Sequence, residues 1–235
     1  MYPGGGAPAW SPLDFGADLL FWFDANVMCS GALWVDQGPN GYDLSQATGS
    51  KQPTLITADP DFDGNNSLSF NNAALQTMST AASFAYGLFE LWIFCATDSA
   101  QRLYTHNTYE KSVYMSGPYQ GYANNLGEGK LDLVGASTLV DPLGLPRMIG
   151  HRWDGSSATH DVLQAGTIVT DSRPVAGGPS PATGSGQFWL GSYLDTGEYL
   201  HGRISEIIGI KNRVATAPET VSLNGYRAAK YPGMP

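Results

Sequence analysis

The chain has 235 residues, a formal net charge of −9 and 14% charged residues, against about 25% in an average globular protein. Hydrophobic residues make up 42% of the sequence, which is enough for a packed core and excludes global disorder. The 12 Lys and Arg residues form no basic stripe, so we expect no nucleic-acid partner. No apolar run reaches the ~18 residues of a transmembrane helix, so we expect no membrane partner.

Residues 1–14 are predicted to form an extended arm, because several prolines and glycines oppose regular structure there. The segment has neither the basic nor the apolar region of a signal peptide. Two aromatic residues, Tyr2 and Trp10, are unusual for a flexible linker. They either pack on the chain's own domain or anchor the arm on a partner protein. We expect the partner contact, with residues 15–235 forming the domain.

Short apolar segments separated by turn-forming residues follow the arm. Strands are predicted, in chain order, at 18–24, 33–36, 44–46, 54–57, 67–70, 75–79, 88–97, 102–106, 112–116, 119–123, 130–135, 147–153, 161–164, 167–170, 188–191 and 200–211. In segment 88–97, the alternation places Phe89, Leu91 and Ile93 on one face and Trp92 on the other. Residues 172–187 are rich in proline and glycine and are predicted to be a loop.

One helix is predicted near the C-terminus. Thr216 and Glu219 have the spacing of a capping box, and Pro218 lies in the first turn. The helix is expected at about 217–229, before the Pro-Gly turn at 232–233. Many short strands and one late helix predict an all-β, antiparallel two-sheet jelly-roll sandwich. The residues expected in its core are Trp22, Trp34, Phe70, Leu91, Ile93, Ile204 and Ile207.

Several of these segments carry a recognisable pattern. Residues 19–26 (LLFWFDAN) and 33–42 (LWVDQGPNGY) are followed by Gln52-Pro53-Thr54, and 188–191 (FWLG) and 200–206 (LHGRISE) precede the helix. The pattern resembles laminin-G-like, concanavalin A-like domains of phage and bacterial surface proteins. The resemblance implies a jelly roll and a structural protein of a phage particle, a capsid decoration or a tail protein. It further implies other virion proteins as partners, such as the major capsid protein, and assembly in the host cytoplasm.

Two acidic positions raise the question of catalysis. Glycoside hydrolases need two carboxylates flanking one bond, which on a strand requires acidic residues at i and i+2 or i+4. Glu90 and Glu206 are each followed by two apolar residues, so the sequence lacks that run, and we expect no enzymatic activity. Glu206 is instead expected to bond a backbone N–H, Arg203 or Arg213, because an unpaired buried carboxylate is costly.

Asp59, Asp61, Asp63 and the following glycine have the Asp-x-Asp-x-Asp-Gly start of a calcium loop. The twelfth position of such a loop is Phe70 here instead of a bidentate Glu. The segment is therefore either a calcium site or a solvated acidic turn. Calcium is the one cofactor that the sequence suggests.

Tyr114, Tyr119, Tyr122, Asn124 and Asn125 form a cluster suited to binding. Tyrosine brings a large contact area with few rotatable bonds, and asparagine side chains can meet sugar hydroxyls. The cluster is either a glycan- or protein-binding surface or a set of ordinary half-buried sheet tyrosines. A carbohydrate-binding module is therefore the alternative to the virion role.

The two cysteines, Cys29 and Cys95, both lie beside apolar segments. We expect two free thiols instead of a disulfide.

Overall fold

The computed structural model describes residues 10–84, 89–97, 102–106, 111–116, 119–123, 145–153, 157–164, 167–174, 186–192, 197 and 199–234. These residues form fifteen strands, one α-helix and four short 3-10 helices. The strands are β1 (Leu19–Asp24), β2 (Leu33–Trp34), β3 (Leu44–Ser45), β4 (Thr54–Asp59), β5 (Asn65–Phe70), β6 (Met78–Thr80), β7 (Phe89–Thr97), β8 (Arg102–His106), β9 (Lys111–Ser116), β10 (Tyr119–Ala123), β11 (Arg147–Trp153), β12 (Ser157–Gln164), β13 (Thr167–Pro174), β14 (Phe188–Leu190) and β15 (Gly202–Lys211). The 3-10 helices are Pro12–Asp18, Gly49–Lys51, Pro60–Phe62 and Asn72–Ala74, and the α-helix, α1, is Ala217–Lys230.

The strands form two antiparallel sheets. The eight-stranded sheet has the order β13-β12-β11-β7-β15-β5-β4, and β1 also pairs with β15. The seven-stranded sheet has the order β10-β9-β8-β14-β6-β3-β2, so β14 is its central strand. The fold is an antiparallel jelly-roll sandwich with one short C-terminal helix, which confirms the predicted fold class.

Two hydrophobic clusters fill the spaces on either side of the eight-stranded sheet. The first lies between the two sheets and includes Trp34, Phe70 and Ile93, and the second lies between the eight-stranded sheet and α1. Six of the seven predicted core residues are buried in the first cluster. Trp22 differs, because it is only partly buried and packs against the helix-side cluster. The alternation predicted for β7 is confirmed, with Leu91 between the sheets and Trp92 on the helix side.

Several predicted segments need correction, and others are confirmed. The strands predicted at 102–106, 119–123 and 147–153 have the observed bounds. The strand predicted at 75–79 is Met78–Thr80 instead, because a 3-10 helix precedes it and Leu75 adopts a left-handed φ of 56°. The segment 130–135 lies outside the described residues.

The predicted loop at 172–187 begins too early, since β13 runs to Pro174. Proline lacks the N–H that a neighbouring strand would use, but β13 is an edge strand, where that loss is tolerated. Both cysteines are free, as predicted. No helix in the described part of the chain has the length and apolar character needed to cross a membrane.

Helix α1 begins with the predicted capping box. The Thr216 hydroxyl accepts a hydrogen bond from the Glu219 N–H at 3.4 Å, and the Glu219 carboxylate accepts one from the Thr216 N–H at 2.8 Å. Arg213 also bonds both Glu219 and Asp18, which joins the helix to the Pro12–Asp18 segment. These contacts attach α1 to the eight-stranded sheet.

The start of the ordered chain also differs from the prediction. The 3-10 helix Pro12–Asp18 spans the predicted boundary between residues 14 and 15, and Phe15 is buried. Trp10 is partly buried and makes edge-to-face contacts with Phe15 and Tyr226, at centroid distances of 5.3 and 5.9 Å. Trp10 therefore packs on the chain's own helix, and its assignment as a partner anchor is corrected. Tyr2 lies outside the described residues.

Candidate functional site

The outer faces of the two sheets have different coverings. Helix α1 and the segment from Trp10 to Asp18 cover the outer face of the eight-stranded sheet, and the cluster beneath them is buried. The seven-stranded sheet carries no helix on its outer face in the part of the chain that the structure describes. Among the residues that the structure describes, the outer face of the seven-stranded sheet is therefore the candidate site.

One residue from each strand forms a cross-strand row over the outer face of the seven-stranded sheet. In the order β2, β3, β6, β14, β8, β9, β10, the row is Leu33, Ser45, Ser79, Trp189, Thr105, Ser112 and Ala123. Its neighbours along the strands, such as Leu44, Met78 and Leu190, point into the core between the sheets. Because side chains alternate along a strand, the row residues from Leu33 to Thr105 belong to the outer face. We call it the outer row.

Trp189 is the only aromatic residue of the outer row and lies on its central strand. Its side chain is half-buried, between Ser79 on one side and Thr105 on the other. Trp22 and Trp92 donate their indole N–H groups to Glu206 and Glu90 on the helix-covered face. The outer row has no carboxylate to take this role for Trp189. The indole therefore combines a partly exposed apolar ring with an available N–H donor.

The predicted tyrosine cluster lies at the edge of the same sheet. Strands β9 and β10, which carry Tyr114, Tyr119 and Tyr122, are its last two strands. The register pairs Tyr114 with Gly121, Tyr119 with Ser116, and Tyr122 with Val113. Asn124 and Asn125 lie outside the described residues. The fold therefore places the three tyrosines on strands that continue the outer row, and the binding role of the five residues stays a prediction.

The acidic loop that suggested calcium is organised by an arginine. Arg203 bonds both oxygens of Asp59, at 2.9 and 3.2 Å, and also bonds Asp61. Asp59 is buried and accepts a further hydrogen bond from the Ser67 hydroxyl at 2.5 Å. The third carboxylate, Asp63, accepts a hydrogen bond from the Gly233 N–H at 2.9 Å.

This arrangement corrects the calcium interpretation. The guanidinium of Arg203 is already paired with two of the three carboxylates, and Asp63 holds the C-terminal turn. Among the described residues, no group of three or more His, Cys, Asp or Glu side chains could hold a metal ion. The loop instead connects β5, β15 and the C-terminal turn, because its carboxylates bond Ser67, Arg203 and Gly233 from these segments.

Glu206 lies in a buried polar cluster beneath α1. One carboxylate oxygen accepts hydrogen bonds from Trp22 Nε1 at 2.6 Å and the Tyr226 hydroxyl at 2.7 Å. The other accepts from Lys230 Nζ and the Tyr231 hydroxyl, both at 2.9 Å. The predicted arginine partners are therefore wrong, since Arg203 and Arg213 bond other carboxylates. The four donors to Glu206 come from β1, from α1 and from the residue after α1, so Glu206 joins the helix to the sheet.

The charges of this cluster shift the pKa values of its members. Burial raises the pKa of Glu206, and the neighbouring charge of Lys230 offsets only part of that increase, while Asp24 adds to it. Burial alone would lower the pKa of Lys230, but Glu206 and Asp24 together raise it above its ordinary value. Lys230 Nζ lies 2.7 Å from Asp24, so one ammonium serves two carboxylates. The cluster therefore favours a charged lysine and a more readily protonated Glu206.

Glu90 forms a second buried anchor on the same face. It accepts hydrogen bonds from the Trp92 indole and from the Ala215 N–H, and it pairs with Arg152 Nε at 2.9 Å. Ala215 lies just before α1, so Glu90 fixes the approach to the helix. The two glutamates that the sequence analysis weighed and rejected as catalytic residues, Glu90 and Glu206, thus both attach the helix.

Trp189, Ser79 and Ser45 were not among the site residues predicted from the sequence. The strand signal at 188–191 was visible, but nothing local shows that this strand is central in its sheet. That position depends on pairing with β6 and β8, which lie about a hundred residues earlier in the chain. An outward tryptophan within an apolar strand is the one local signal that could have singled out this position.

No family model and no curated protein matches the chain. Solved structures share its fold. The binding domain of botulinum neurotoxin serotype G has a TM-score of 0.61 and 13% identity, over 90% of this chain and 51% of that chain. A GH54 α-L-arabinofuranosidase has a TM-score of 0.57 and 14% identity, over 88% and 53%. A Trypanosoma rangeli sialidase has a TM-score of 0.55 and 12% identity, over 94% and 34%.

The chain spans about half the length of the neurotoxin domain and of the arabinofuranosidase, and about a third of the sialidase. At these identities the likeness establishes a shared β-sandwich fold. The residues of the outer row have to be judged on their own geometry.

Proposed function

We propose that the protein is a non-enzymatic recognition module that binds a glycan on the outer face of its seven-stranded sheet. The observation that carries the proposal is Trp189, half-buried on the central strand and flanked by Ser79 and Thr105. The apolar face of a sugar ring packs on an indole ring, and its hydroxyls bond to neighbouring hydroxyl and N–H groups. The outer row provides both kinds of group in one line.

The related folds support the proposal at the level of architecture. The neurotoxin structure is described as a receptor binding domain, and the sialidase structure is a complex with sialic acid. A second arabinofuranosidase structure contains arabinofuranosyl-α-1,2-xylobiose. Proteins that contain this sandwich therefore include several that handle sugars, although each is considerably longer than this chain.

The buried carboxylates support a binding role over a hydrolytic one. Glu206 and Glu90 are both fully buried, and each has donors on both oxygens. A glycosidase needs one carboxyl group that can reach the leaving-group oxygen and a second on the other side of the scissile bond. Two glutamates sealed under a helix are unsuited to that role.

The proposal is tested by screening the full chain on a glycan array and measuring each hit by isothermal titration calorimetry. Trp189→Ala is expected to weaken binding at least about tenfold, because the indole is the largest contact in the row. Trp189→Phe keeps an aromatic face and should retain most of the affinity. Val221→Ala, on the exposed side of α1, is the control and should bind like the parent protein. Equal binding by parent and Trp189→Ala would contradict the proposed site.

Attachment to virion proteins is a second proposal, and it rests on the resemblance of residues 19–54 and 188–231 to domains of phage surface proteins. None of the three solved structures named above is a virion protein. The two proposals are compatible if a particle carries the module on its surface to contact host glycans. Co-sedimentation of the protein with intact particles at a fixed copy number is the expected result. Failure to co-sediment would leave the glycan-binding proposal alone.

A further inference from the structure

The outer row is exposed at its β2 end and buried at Thr105 on β8. Leu33 on β2 is 40% exposed and Ser45 on β3 is also exposed, whereas Ser79 and Trp189 are half-buried. Thr105 on β8, the next position, is completely buried. Among the row residues whose side chains the structure describes, the accessible ones are the four from Trp189 to Leu33, which we call the open stripe.

A hydrogen-bonded group closes the stripe beside Trp189. Thr105 Oγ1 donates to the Ser192 carbonyl at 3.2 Å, and the hydroxyls of Thr77 and Ser192 are 2.7 Å apart. Thr77 and Ser192 are both fully buried, and Thr77 also donates to the Leu190 carbonyl at 2.9 Å. These bonds hold the chain after β14 against the outer face. Because Thr105 is completely buried, a ligand lying on Trp189 meets protein on the β8 side, whereas Ser45 and Leu33 are exposed on the β2 side.

The length and charge of the open stripe define the ligand further. Three strand spacings separate Trp189 from Leu33, which is about 14 Å. A linear glycan crossing the strands would place about one sugar unit over each strand. The stripe contains no charged residue and the whole chain has a net charge of −9, so an anionic glycan gains no partner there and is repelled overall.

We infer that the open stripe binds the end of an uncharged, linear glycan chain. The terminal sugar lies on Trp189 against the closed side, and the following units cross Ser79 and Ser45 and leave the protein past Leu33. This inference rests on the proposed glycan-binding function and adds the class, direction and length of the ligand.

The test uses the full chain and neutral xylo-, cello-, laminari- and manno-oligosaccharides of one to six units. Affinity is expected to rise by about tenfold or more from the monosaccharide to the tetrasaccharide and then to remain constant. The same tetrasaccharide with its terminal unit blocked by a bulky substituent should bind at least about tenfold more weakly. An oligogalacturonate series is the anionic comparison and is expected to bind more weakly than the neutral series.

Ser45→Glu places a carboxylate two strands from Trp189 on an exposed position. It should lower tetrasaccharide affinity by about tenfold and leave monosaccharide affinity within about twofold. Val221→Glu adds the same charge on the helix-covered side and should change neither value. Thermal unfolding of each variant checks that it is folded.

The outcomes separate the inference from the proposed function. If no glycan binds, the proposed function fails and the inference fails with it. If a glycan binds and Trp189→Ala abolishes binding, the function stands. The inference is then overturned by length-independent affinity, by equal binding of the end-blocked tetrasaccharide, by stronger oligogalacturonate binding or by an inert Ser45→Glu.

Discussion

The outer faces of the two sheets are built on opposite chemical principles. On the helix-covered face, Lys230, Glu206 and Glu90 are buried, and each makes several charged hydrogen bonds. On the seven-stranded sheet, the outer row consists of small hydroxyl side chains, two apolar ends and one tryptophan, with no charge. The first face holds its covering by specific ionic contacts, and the second leaves part of its surface exposed.

The difference indicates which face serves stability and which is available for binding. Buried charges are costly unless they are fully paired, so a face that carries them must keep its partners in place at all times. A face of small polar residues and one half-buried indole loses little when a ligand arrives or leaves. Substitutions on the first face should therefore change stability, and substitutions on the second should change binding.

Lys230→Ala is expected to give the largest loss of stability. It leaves Asp24 and Glu206 buried without their common cation, which typically costs about 3–5 kcal/mol. Urea unfolding followed by tryptophan fluorescence measures the loss. Lys211→Ala is the control, because Lys211 makes one partly buried hydrogen bond of 3.1 Å to Asn40 and should cost under about 1 kcal/mol. Similar losses in both variants would show that the buried cluster is not a special anchor.

The sequence predicted the strands best where side chains alternate regularly, as in β7. It could not predict the partners of Glu206, because a bulge at Ser205 breaks the alternation of β15 against β7. Ser205 bonds Tyr231 and Glu206 bonds Tyr226, so two consecutive residues both contact the helix side. If side chains simply alternated along the strand, consecutive residues would lie on opposite faces. The bulge therefore determines which residues meet the helix.

Site prediction was limited in the same way by long-range pairing. The three acidic residues at 59–63 matched part of a metal motif, but Arg203, more than a hundred residues later, occupies that loop. The outer row combines residues from strands across most of the chain, and Leu33, Ser79 and Trp189 are more than forty residues apart from one another. Local patterns identified the strands, and the order of the strands determined the site.

Two tryptophans allow the faces to be compared directly. Trp22→Phe removes the indole N–H that lies 2.6 Å from Glu206, and the loss of a hydrogen bond to a charged group costs about 1.5–3 kcal/mol. Trp189→Phe removes no hydrogen bond to a charged group, and it is expected to lower the free energy of unfolding by less than about 1 kcal/mol. Both tryptophans are partly buried, which makes them a matched pair. Equal losses in urea unfolding would remove the energetic distinction between the two faces.

Two glycines test how tightly the helix-covered face is packed. A Cβ at Gly150 would lie 2.5–2.7 Å from carbon atoms of the Trp92 ring, so Gly150→Ala is expected to cost about 1–3 kcal/mol through overpacking. Gly225, on α1, has open space around its Cα, and Gly225→Ala should stabilise the protein by about 0.5–1 kcal/mol through helix propensity. A neutral Gly150→Ala would show that Trp92 can shift and that the packing beneath the helix is loose.

The smallest expected effect is on the pH dependence of stability. Of the two faces compared, only the helix-covered face should contribute to it, since the outer row contains no titratable group. Hydrogen bonds from Arg213 are the main cause that lowers the pKa of Glu219 to about 2. Its contribution to stability is therefore present above its ordinary pKa of 4.5 and is lost as the pH falls towards 2.

The contribution of Glu206 to stability depends on pH in the opposite direction, because burial raises the pKa of Glu206. Its contribution is greatest below its ordinary pKa of 4.5 and decreases as the pH rises through the folded-state value. Urea midpoints of unfolding are measured between pH 3 and 7, at intervals of about one pH unit. As the pH falls, the midpoint should decrease less steeply in Glu219→Gln than in the parent protein, and more steeply in Glu206→Gln. Parallel profiles in all three proteins would mean that neither carboxylate is coupled to folding, and the ionic attachment of the helix would have to be abandoned.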